Sequence, residues 1–305
     1  MNSYKANAIP VNVGNKHYSL LSNYQNQAEY RAAFNCLTEK VFDLTFESWY
    51  QDGYWKEKYI PYTLFDGEQA IANLSINLID FNGFGQAYKC LQLGTIATDE
   101  QYRSQGLSRF LMEYVLQEWN SQCDFIYLFA NQSVLEFYPK FGFEKQKEYV
   151  YFKPVTIQHK QLSFEKINMD LTASRQKLYD YINHAAPCSS FSMQKNPDLV
   201  MFYCTSIMKN NVYYSKTLDV FVIAAENHNQ LHIFEVFSLN DIDLETVIQA
   251  LSTPKINSIL LGFTPKNIQG YEIKEKQDED VLFVQKGKTD LFEKNKIMLP
   301  LLSHA

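Results

Sequence analysis

The sequence is poor in the residues that build cross-linked, membrane-spanning or nucleic-acid-binding proteins. Its five cysteines are far apart in 305 residues and none forms a C-x-x-C pair, so we expect reduced thiols, no disulfide and no metal site. No segment approaches the roughly 18 consecutive apolar residues of a membrane-spanning helix, and the N-terminal residues lack the apolar run of a secretory signal. The 28 basic residues form no cluster and the net charge is -6, which disfavours nucleic acid. These absences predict a cytoplasmic protein without a membrane or nucleic-acid partner.

Length and composition predict a folded chain of two domains. Apolar residues make up 46% and charged residues 20% of the 305 residues, a balance typical of globular proteins. Residues 153–161 are polar, contain Pro154 and show no periodicity, so we place the domain boundary there. Residues 1–155 are predicted to form the first domain and residues 156–305 the second.

Both halves carry helix and strand patterns in a similar order. In the first half, apolar residues at helical spacing predict helices over 29–44 and from residue 107 onward. The strands predicted in the first half are 62–65, 69–79, 88–98, 125–130 and 149–152. The elements predicted in the second half are helices at 171–183 and 244–251 and strands at 199–207, 212–214, 220–225, 231–237 and 256–263. The recurrence of strand, helix, strand suggests two related units.

The turn between the strand at 88–98 and the following helix has the features of an anion site. The first N–H groups of a helix have no intrahelical partner, and the helix dipole adds partial positive charge there. Glycine is scarce, eleven in all, yet Gly106 stands at this turn, where it lets the backbone approach a ligand. Arg103 adds a forked cation that suits a diphosphate. The alternative is a solvated turn with a surface arginine.

Two motifs in this region resemble those of the GNAT acetyltransferase superfamily. The run Arg103-Ser104-Gln105-Gly106-Leu107-Ser108 resembles motif A, R/Q-x-x-G-x-G/A, with serine in place of the final glycine or alanine. Asn131, followed seven residues later by Tyr138 and then by a Gly-Phe pair, resembles motif B. The motifs stand in the family's order, and the resemblance spans about residues 28–152. It implies an α+β protein with a GNAT fold, in which helices flank a mixed, mostly antiparallel sheet.

The same resemblance implies a reaction and the roles of particular residues. Acetyl-CoA would donate an acetyl group to a primary amine. Its pantetheine arm would pair with the backbone of Ile96, Ala97 and Thr98, and Asn131 would hydrogen-bond the cofactor. Tyr138 would protonate the departing thiolate. The residues implied at the diphosphate are Arg103, Ser104, Gln105, Gly106, Leu107 and Ser108.

Other interpretations of these residues stay open. Tyr138 is one of 21 tyrosines and would serve equally as a half-buried aromatic, and Asn131 would serve as a helix cap. No general base is assigned, because Asp80, Asp99 and Glu100 fit turn positions as well as catalysis. We expect an N-acetyltransferase for an unidentified small-molecule or peptide amine. The alternative is a non-catalytic CoA-binding or scaffold protein, and a homodimer is left open.

The second half lacks the features of the cofactor loop. Its equivalent strand-to-helix junction, residues 235–245, contains no glycine and no arginine. Asp241, Asp243 and Glu245 would complement the helix dipole themselves and repel a diphosphate. We therefore expect a second GNAT-like α+β domain that binds no cofactor and resembles the degenerate copy of some tandem members of the superfamily.

Overall fold

The computed structural model describes residues 8–155, 163–277, 279–285, 287 and 289–304. Of the segment predicted to separate two domains, residues 156–161 lie outside the described residues. The helices are α1 (Ala28–Phe42), α2 (Glu47–Gln51), α3 (Leu107–Trp119), α4 (Thr172–His184), α5 (Pro197–Thr205), α6 (Leu244–Leu251) and α7 (Asp290–Asn295). In the described part of the chain, no helix is both long and apolar enough to cross a lipid bilayer.

The strands form two mixed sheets. The strands of the first sheet are β1 (Ile9–Val13), β2 (Lys16–Ser22), β3 (Tyr59–Asp66), β4 (Gln69–Gly83), β5 (Gln86–Thr98), β6 (Phe125–Ala130), β7 (Phe143–Gln146), β10 (Phe191–Gln194) and β16 (Val281–Gln285). The strands of the second sheet are β8 (Tyr149–Pro154), β9 (Glu165–Lys166), β11 (Val212–Ser215), β12 (Val220–Asn227), β13 (Gln230–Ser238), β14 (Ser258–Leu261) and β15 (Glu272–Glu275). The spatial orders are β1-β2-β3-β4-β5-β6-β16-β7, with β10 on β4, and β15-β8-β14-β13-β12-β11-β9.

Each sheet contains one parallel pair joined by a helix that packs on the sheet. In the first sheet β5 runs parallel to β6 and α3 connects them, while the neighbouring pairs are antiparallel. Leu107, Leu111, Met112 and Val115 recur at helical spacing on α3 and are buried, so this face drives the packing. In the second sheet β13 runs parallel to β14, and α6 connects them. The predicted α+β class, with mixed and mostly antiparallel sheets, is confirmed.

The two units share a detail that the sequence pattern does not reveal. The parallel ladder between β5 and β6 ends at Leu93, and the register between β4 and β5 shifts one residue later, after Gly94. The ladder between β13 and β14 ends at Ile233, and the register between β12 and β13 shifts at the next residue. In both sheets a bulge thus follows within two residues of the end of the parallel ladder, which supports the interpretation of the second unit as GNAT-like.

The sheets exchange strands, and one predicted element lies in a different sheet. Residues 149–152 are extended as predicted, but β8 pairs with β14 and β15 of the second sheet instead of closing the first. The position between β6 and β7 is taken by β16, which comes from the second half and pairs with both. The division at residue 155 stays a prediction, since hydrogen bonds of both sheets link the two halves.

Residues 199–207 were predicted to be a strand, and this prediction is wrong because α5 covers most of them. A short, continuous apolar run fits a buried helix as well as a buried strand. Pro197 stands in the first turn, where its missing N–H costs nothing. Val200, Met201 and Cys204 are all buried, which is the spacing of one helical face.

Candidate active site

A cleft opens in the first sheet where β5 and β6 diverge. Opposite Leu74, the bulge places two residues of β5, Thr95 and Ile96, because Gly94 pairs with Ser75 and Ala97 with Asn73. Thr95 adopts a positive φ of 47°, a conformation that β-branched residues rarely take. The bulge is held by Asn73 Nδ2, which donates to the Thr95 carbonyl at 2.8 Å. Beyond Leu93 the edge of β5 that faces β6 has no strand pairing among the described residues.

The cleft has a volume of about 940 Å³ and collects most of the side chains that the motifs singled out. The predicted site residues that line it are Ile96, Thr98, Arg103, Ser108, Asn131 and Tyr138. Ala97 is buried beneath it, in a cluster with residues of α1 and β3. The other four predicted residues, Ser104, Gln105, Gly106 and Leu107, form the turn and the helix start at its edge.

The turn after β5 leaves the start of α3 uncapped. Ser104 and Gly106 have positive φ values of 61° and 81°, and no side chain caps α3 at Gly106. A Cβ at Gly106 would meet only Val13 Cγ1 at 4.0 Å, so the backbone conformation, and not lack of space, requires glycine. Arg103 is exposed and forms no ion pair with a described residue. The first N–H groups of α3 and this guanidinium are thus available to an anion.

Two contacts of the loop were not predicted from the sequence. Ser108, the departure from motif A, hydrogen-bonds Thr98 through the two hydroxyls at 2.8 Å and so joins the end of β5 to the first turn of α3. Lys16 on β2 donates to Gln105 Oε1 at 3.0 Å, which brings a second cation to the loop. No local pattern around Lys16 indicates this role, because β2 reaches the loop only through the sheet.

Asp99, one of the three acids considered as a general base, is bound by Lys40 and by a backbone N–H of the turn after β5. Lys40 donates to its carboxylate at 2.8 Å and this contact lowers the pKa of Asp99 below its usual value. The other oxygen accepts from the backbone N–H of Gln101 at 3.0 Å, capping the short 3-10 turn after β5. The side chain therefore fixes the turn and is a poor proton acceptor.

Tyr138 lies buried at the floor of the cleft. It is 5% exposed, and its ring contacts Phe137 and Phe283, the latter on β16. Its hydroxyl makes no hydrogen bond to any residue that the structure describes. Burial raises the pKa of this phenol to about 12, so it carries its proton at neutral pH. Both its burial and its protonation suit a hydrogen-bond donor to a charge that forms in the cleft.

Asn131 follows β6 and caps a short 3-10 turn at Gln132–Val134. Its Oδ1 accepts from the backbone N–H of Ser133 at 3.1 Å and from the Ser133 hydroxyl at 2.6 Å. The capping function weighed from the sequence is therefore present. The amide nitrogen makes no hydrogen bond to a described residue, which leaves a donor at the edge of the cleft.

The second half supplies one wall of the cleft. Tyr203 on α5, Asp280 before β16 and His304 all line it. The Tyr203 hydroxyl donates to the His304 carbonyl at 2.5 Å, and the His304 ring stacks on Phe129 of β6 with centroids 3.6 Å apart. No local sequence pattern indicates these residues, because their contacts with β6 depend on tertiary packing.

In the second unit, residues of the chain itself occupy both the start of the helix and the space where the parallel strands diverge. At the start of α6, Asp243 accepts from the N–H groups of Glu245 at 3.3 Å and Thr246 at 3.0 Å. Where β13 and β14 diverge, Leu301 N donates to the Gly262 carbonyl at 2.9 Å. A Cβ on Gly262 would lie 3.1 Å from the Cα of Phe234, so the backbones approach closely there. These contacts favour the prediction that the second unit binds no nucleotide.

The splayed strands, the uncapped helix start and the buried tyrosine all lie within one segment that matches a known family model. Residues 24–146 match the family model described as "Acetyltransferase (GNAT) domain". This segment contains the cleft-forming strands, α3 and both motifs. The likeness to the GNAT acetyltransferase domain thus covers residues 24–146 of the 305-residue chain.

Solved structures with the same fold cover most of the chain. A protein of Enterococcus faecalis V583, described as a "Probable N-Acyltransferase", has a TM-score of 0.59 at 15% identity over 84% of this chain and 70% of that chain. Eis1 from Mycobacterium abscessus has a TM-score of 0.55 at 14% identity over 84% of this chain and 71% of that chain. A GCN5-related N-acetyltransferase from Anabaena variabilis has a TM-score of 0.54 at 14% identity over 87% of this chain and 72% of that chain. At such identities the likeness shows the fold. No curated protein sequence matches the chain.

Proposed function

We propose that the first unit transfers an acetyl group from acetyl-CoA to a primary amine. The observation that carries this proposal is the meeting, in one cleft, of an unpaired strand edge, an uncapped helix start and a buried phenol. A GNAT acetyltransferase domain over residues 24–146 and neighbours described as N-acyltransferases agree with it.

The chemistry of the donor set fits an acyl-CoA. The unpaired edge of β5 over Ile96, Ala97 and Thr98 offers backbone groups to an amide-bearing arm, as an added strand would use them. The turn from Arg103 to Ser108 offers N–H groups and a guanidinium to a diphosphate. The Asn131 amide offers a further donor. The bound cosubstrate supplies the activated thioester carbonyl.

The residues of this chain then act on the leaving group. The neutral amine attacks the carbonyl carbon, the new C–N bond forms, and the C–S bond breaks with its electron pair on sulfur. The Tyr138 hydroxyl donates to that sulfur, passes its proton to it and recovers a proton from solvent. The attacking nitrogen becomes positively charged when the C–N bond forms, and it releases one proton to solvent to leave the neutral amide, since no base is assigned.

The acceptor enters, in this proposal, beside the wall that the second half supplies. Phe42 at the end of α1 is 45% exposed although it is a large apolar side chain, and it lines the cleft with Phe129 and Tyr203. Asp280 is the one carboxylate of this wall among the described lining residues. The second unit thus contributes to the acceptor site of the first.

One observation favours the alternative, a CoA-binding or scaffold protein without catalysis. Asp99 is bound to Lys40, which lowers the pKa of its carboxyl group and makes it a poor general base. A screen of acetyl-CoA turnover against amino acids, polyamines, aminoglycosides and peptide N-termini separates the two functions. Free thiol released with at least one amine supports the transferase, whereas tight CoA binding without thiol release for any amine supports the alternative.

A further inference from the structure

A second cavity lies in the second unit, between β13, the end of α4 and the segment around β10. Its volume is about 280 Å³, roughly the share of nine water molecules in the liquid. Three stretches of chain line it: 182–188, 192–196 and 235–237. None of these residues lines the cleft of the first unit.

Glu235 is a buried carboxyl group in the wall of this cavity. It is 7% exposed, and its one hydrogen bond within the described chain comes from the Val236 N–H to Oε1 at 3.1 Å. A carboxylate accepts about four hydrogen bonds, and a buried one normally has an ionic partner. Burial raises the pKa of Glu235 to about 7. A buried acid with so few donors is destabilising unless something else satisfies it.

The place of Glu235 in the sheet matches a place in the first unit that faces a ligand. Glu235 stands two residues beyond Ile233, the last residue of the parallel ladder, at the bulge of β13. Thr95 stands two residues beyond Leu93, at the bulge of β5, and lines the cleft of the first unit. The divergence of two strands opens space beside the bulge in both units.

The charges around the cavity favour a cation. Burial raises the pKa of the thiol of Cys188, another lining residue, and the nearby charges of Glu235, Asp241 and Asp243 raise it further. Lys266 opposes them, but its ammonium group is paired with Asp241 at 2.9 Å. Two exposed residues of the lining, His184 and Lys195, form no ion pair with Glu235 among the described residues.

Part of the remaining wall is apolar, and the rest carries polar side chains that include Ser192 and Asn196. Ile182 is 5% exposed and Phe237 is 8% exposed, and both line the cavity beside Val236. An alkyl chain of a few carbons would remove this surface from water. A carboxyl group that accepts one hydrogen bond, beside an apolar patch of the wall, indicates the class of ligand.

We propose that this cavity binds a small primary aliphatic amine, whose ammonium group donates hydrogen bonds to Glu235 while its alkyl chain contacts Ile182, Val236 and Phe237. The site is separate from the acetyl-transfer cleft, and the proposal holds whether or not the chain is an enzyme.

Calorimetric titration of the full chain with n-butylamine at pH 8.5 tests the proposal, because the amine and Glu235 are then both charged. We expect binding by the wild type, with affinity at least tenfold lower for Glu235→Gln, since a lost charge-assisted hydrogen bond has about that effect. Glu226→Gln on β12, and Asp280→Asn in the first cleft, are expected to leave this affinity unchanged. n-Butanol and butyrate are expected to bind at least tenfold more weakly than the amine.

Alkylation of Cys188, followed by mass spectrometry, gives a second readout that needs no variant. Cys188 is partly exposed in the cavity and Cys36 is exposed elsewhere, so Cys36 serves as the internal control. We expect n-butylamine to slow the alkylation of Cys188 at least threefold and leave Cys36 unaffected. Equal binding by Glu235→Gln, loss of binding in Asp280→Asn alone, or equal slowing of both cysteines would overturn the proposal. So would absence of binding up to 100 mM amine.

Discussion

Replacing Tyr138 with phenylalanine isolates the hydroxyl that the proposed mechanism needs. The hydroxyl makes no hydrogen bond to a described residue, and the ring contacts with Phe137 and Phe283 are the same for phenylalanine. We therefore expect the free energy of unfolding to change by less than about 0.5 kcal/mol. The variant should also bind acetyl-CoA as the wild type does, because the proposed mechanism assigns Tyr138 to the reacting sulfur and not to the diphosphate.

The pKa of Tyr138 decides how large the loss of turnover should be. At about 12, it lies above the usual 8.5 or so of a thiol, so complete transfer of the proton to the thiolate is uphill. Most of the gain should then come from a hydrogen bond to the developing negative charge, which is worth about 1.5 to 3 kcal/mol. This corresponds to a kcat about 10- to 150-fold lower for Tyr138→Phe.

The assay is release of free thiol from acetyl-CoA, with kcat and KM determined separately on the best amine of the screen. Tyr114→Phe is the matched control, because it removes a hydroxyl on α3 that does not line the cleft. We expect the control to keep wild-type kcat. A Tyr138→Phe enzyme with wild-type kcat would refute the role of the hydroxyl. If Tyr138→Phe and Tyr114→Phe both lowered kcat by the same factor, the loss would not be specific to the cleft and Tyr138 would be assigned to packing alone.

Three further predictions concern the loop, the stoichiometry and the buried acid. Gly106→Val should weaken CoA binding at least tenfold, because φ of +81° is unfavourable for valine and a branched side chain would stand at the anion site. Gly85→Val has the same φ of +81° in the β4–β5 turn and should keep CoA affinity; calorimetry giving equal affinities for both variants would contradict the site. Titration with CoA should give one site per chain, since Asp243 already occupies the N–H groups at the start of α6, and a stoichiometry of two would contradict this. Glu235 has a pKa raised from 4.5 to about 7, so the fold favours its protonated form. The protonated Glu235 carboxyl group contributes fully to the free energy of unfolding below about pH 4.5. This contribution, up to about 3 kcal/mol, is lost as the pH rises through 7. In denaturant titrations, the free energy of unfolding of Glu235→Gln should therefore rise relative to that of the wild type between pH 5 and pH 8.5. If the two proteins showed the same dependence on pH, burial would not raise the pKa of Glu235.

Local pattern was sufficient for the elements that build the cleft. The strand at 125–130 coincides with β6, and the apolar stripe beginning at Leu107 coincides with α3. The positive φ at Gly106 and the uncapped helix start are also local properties, since they depend on the few residues of one turn. For the same reason the candidate anion site could be predicted from the residues of one turn, whereas the role of Tyr138 was implied by the resemblance to motif B.

Tertiary structure decided the features that depend on distant partners. A strand pattern does not specify its neighbour, so nothing in residues 149–152 indicated the second sheet, and nothing in residues 281–285 indicated the place between β6 and β7. Most of residues 199–207 are helical, and the sequence did not predict this because a short apolar run fits a buried helix and a buried strand equally well. Local patterns also do not predict the cleft wall that contains Tyr203 and His304 or the cavity around Glu235. Both form only where segments far apart in sequence meet. Sequence determined the local backbone and the chemical groups it carries, and packing determined which of those groups face each other.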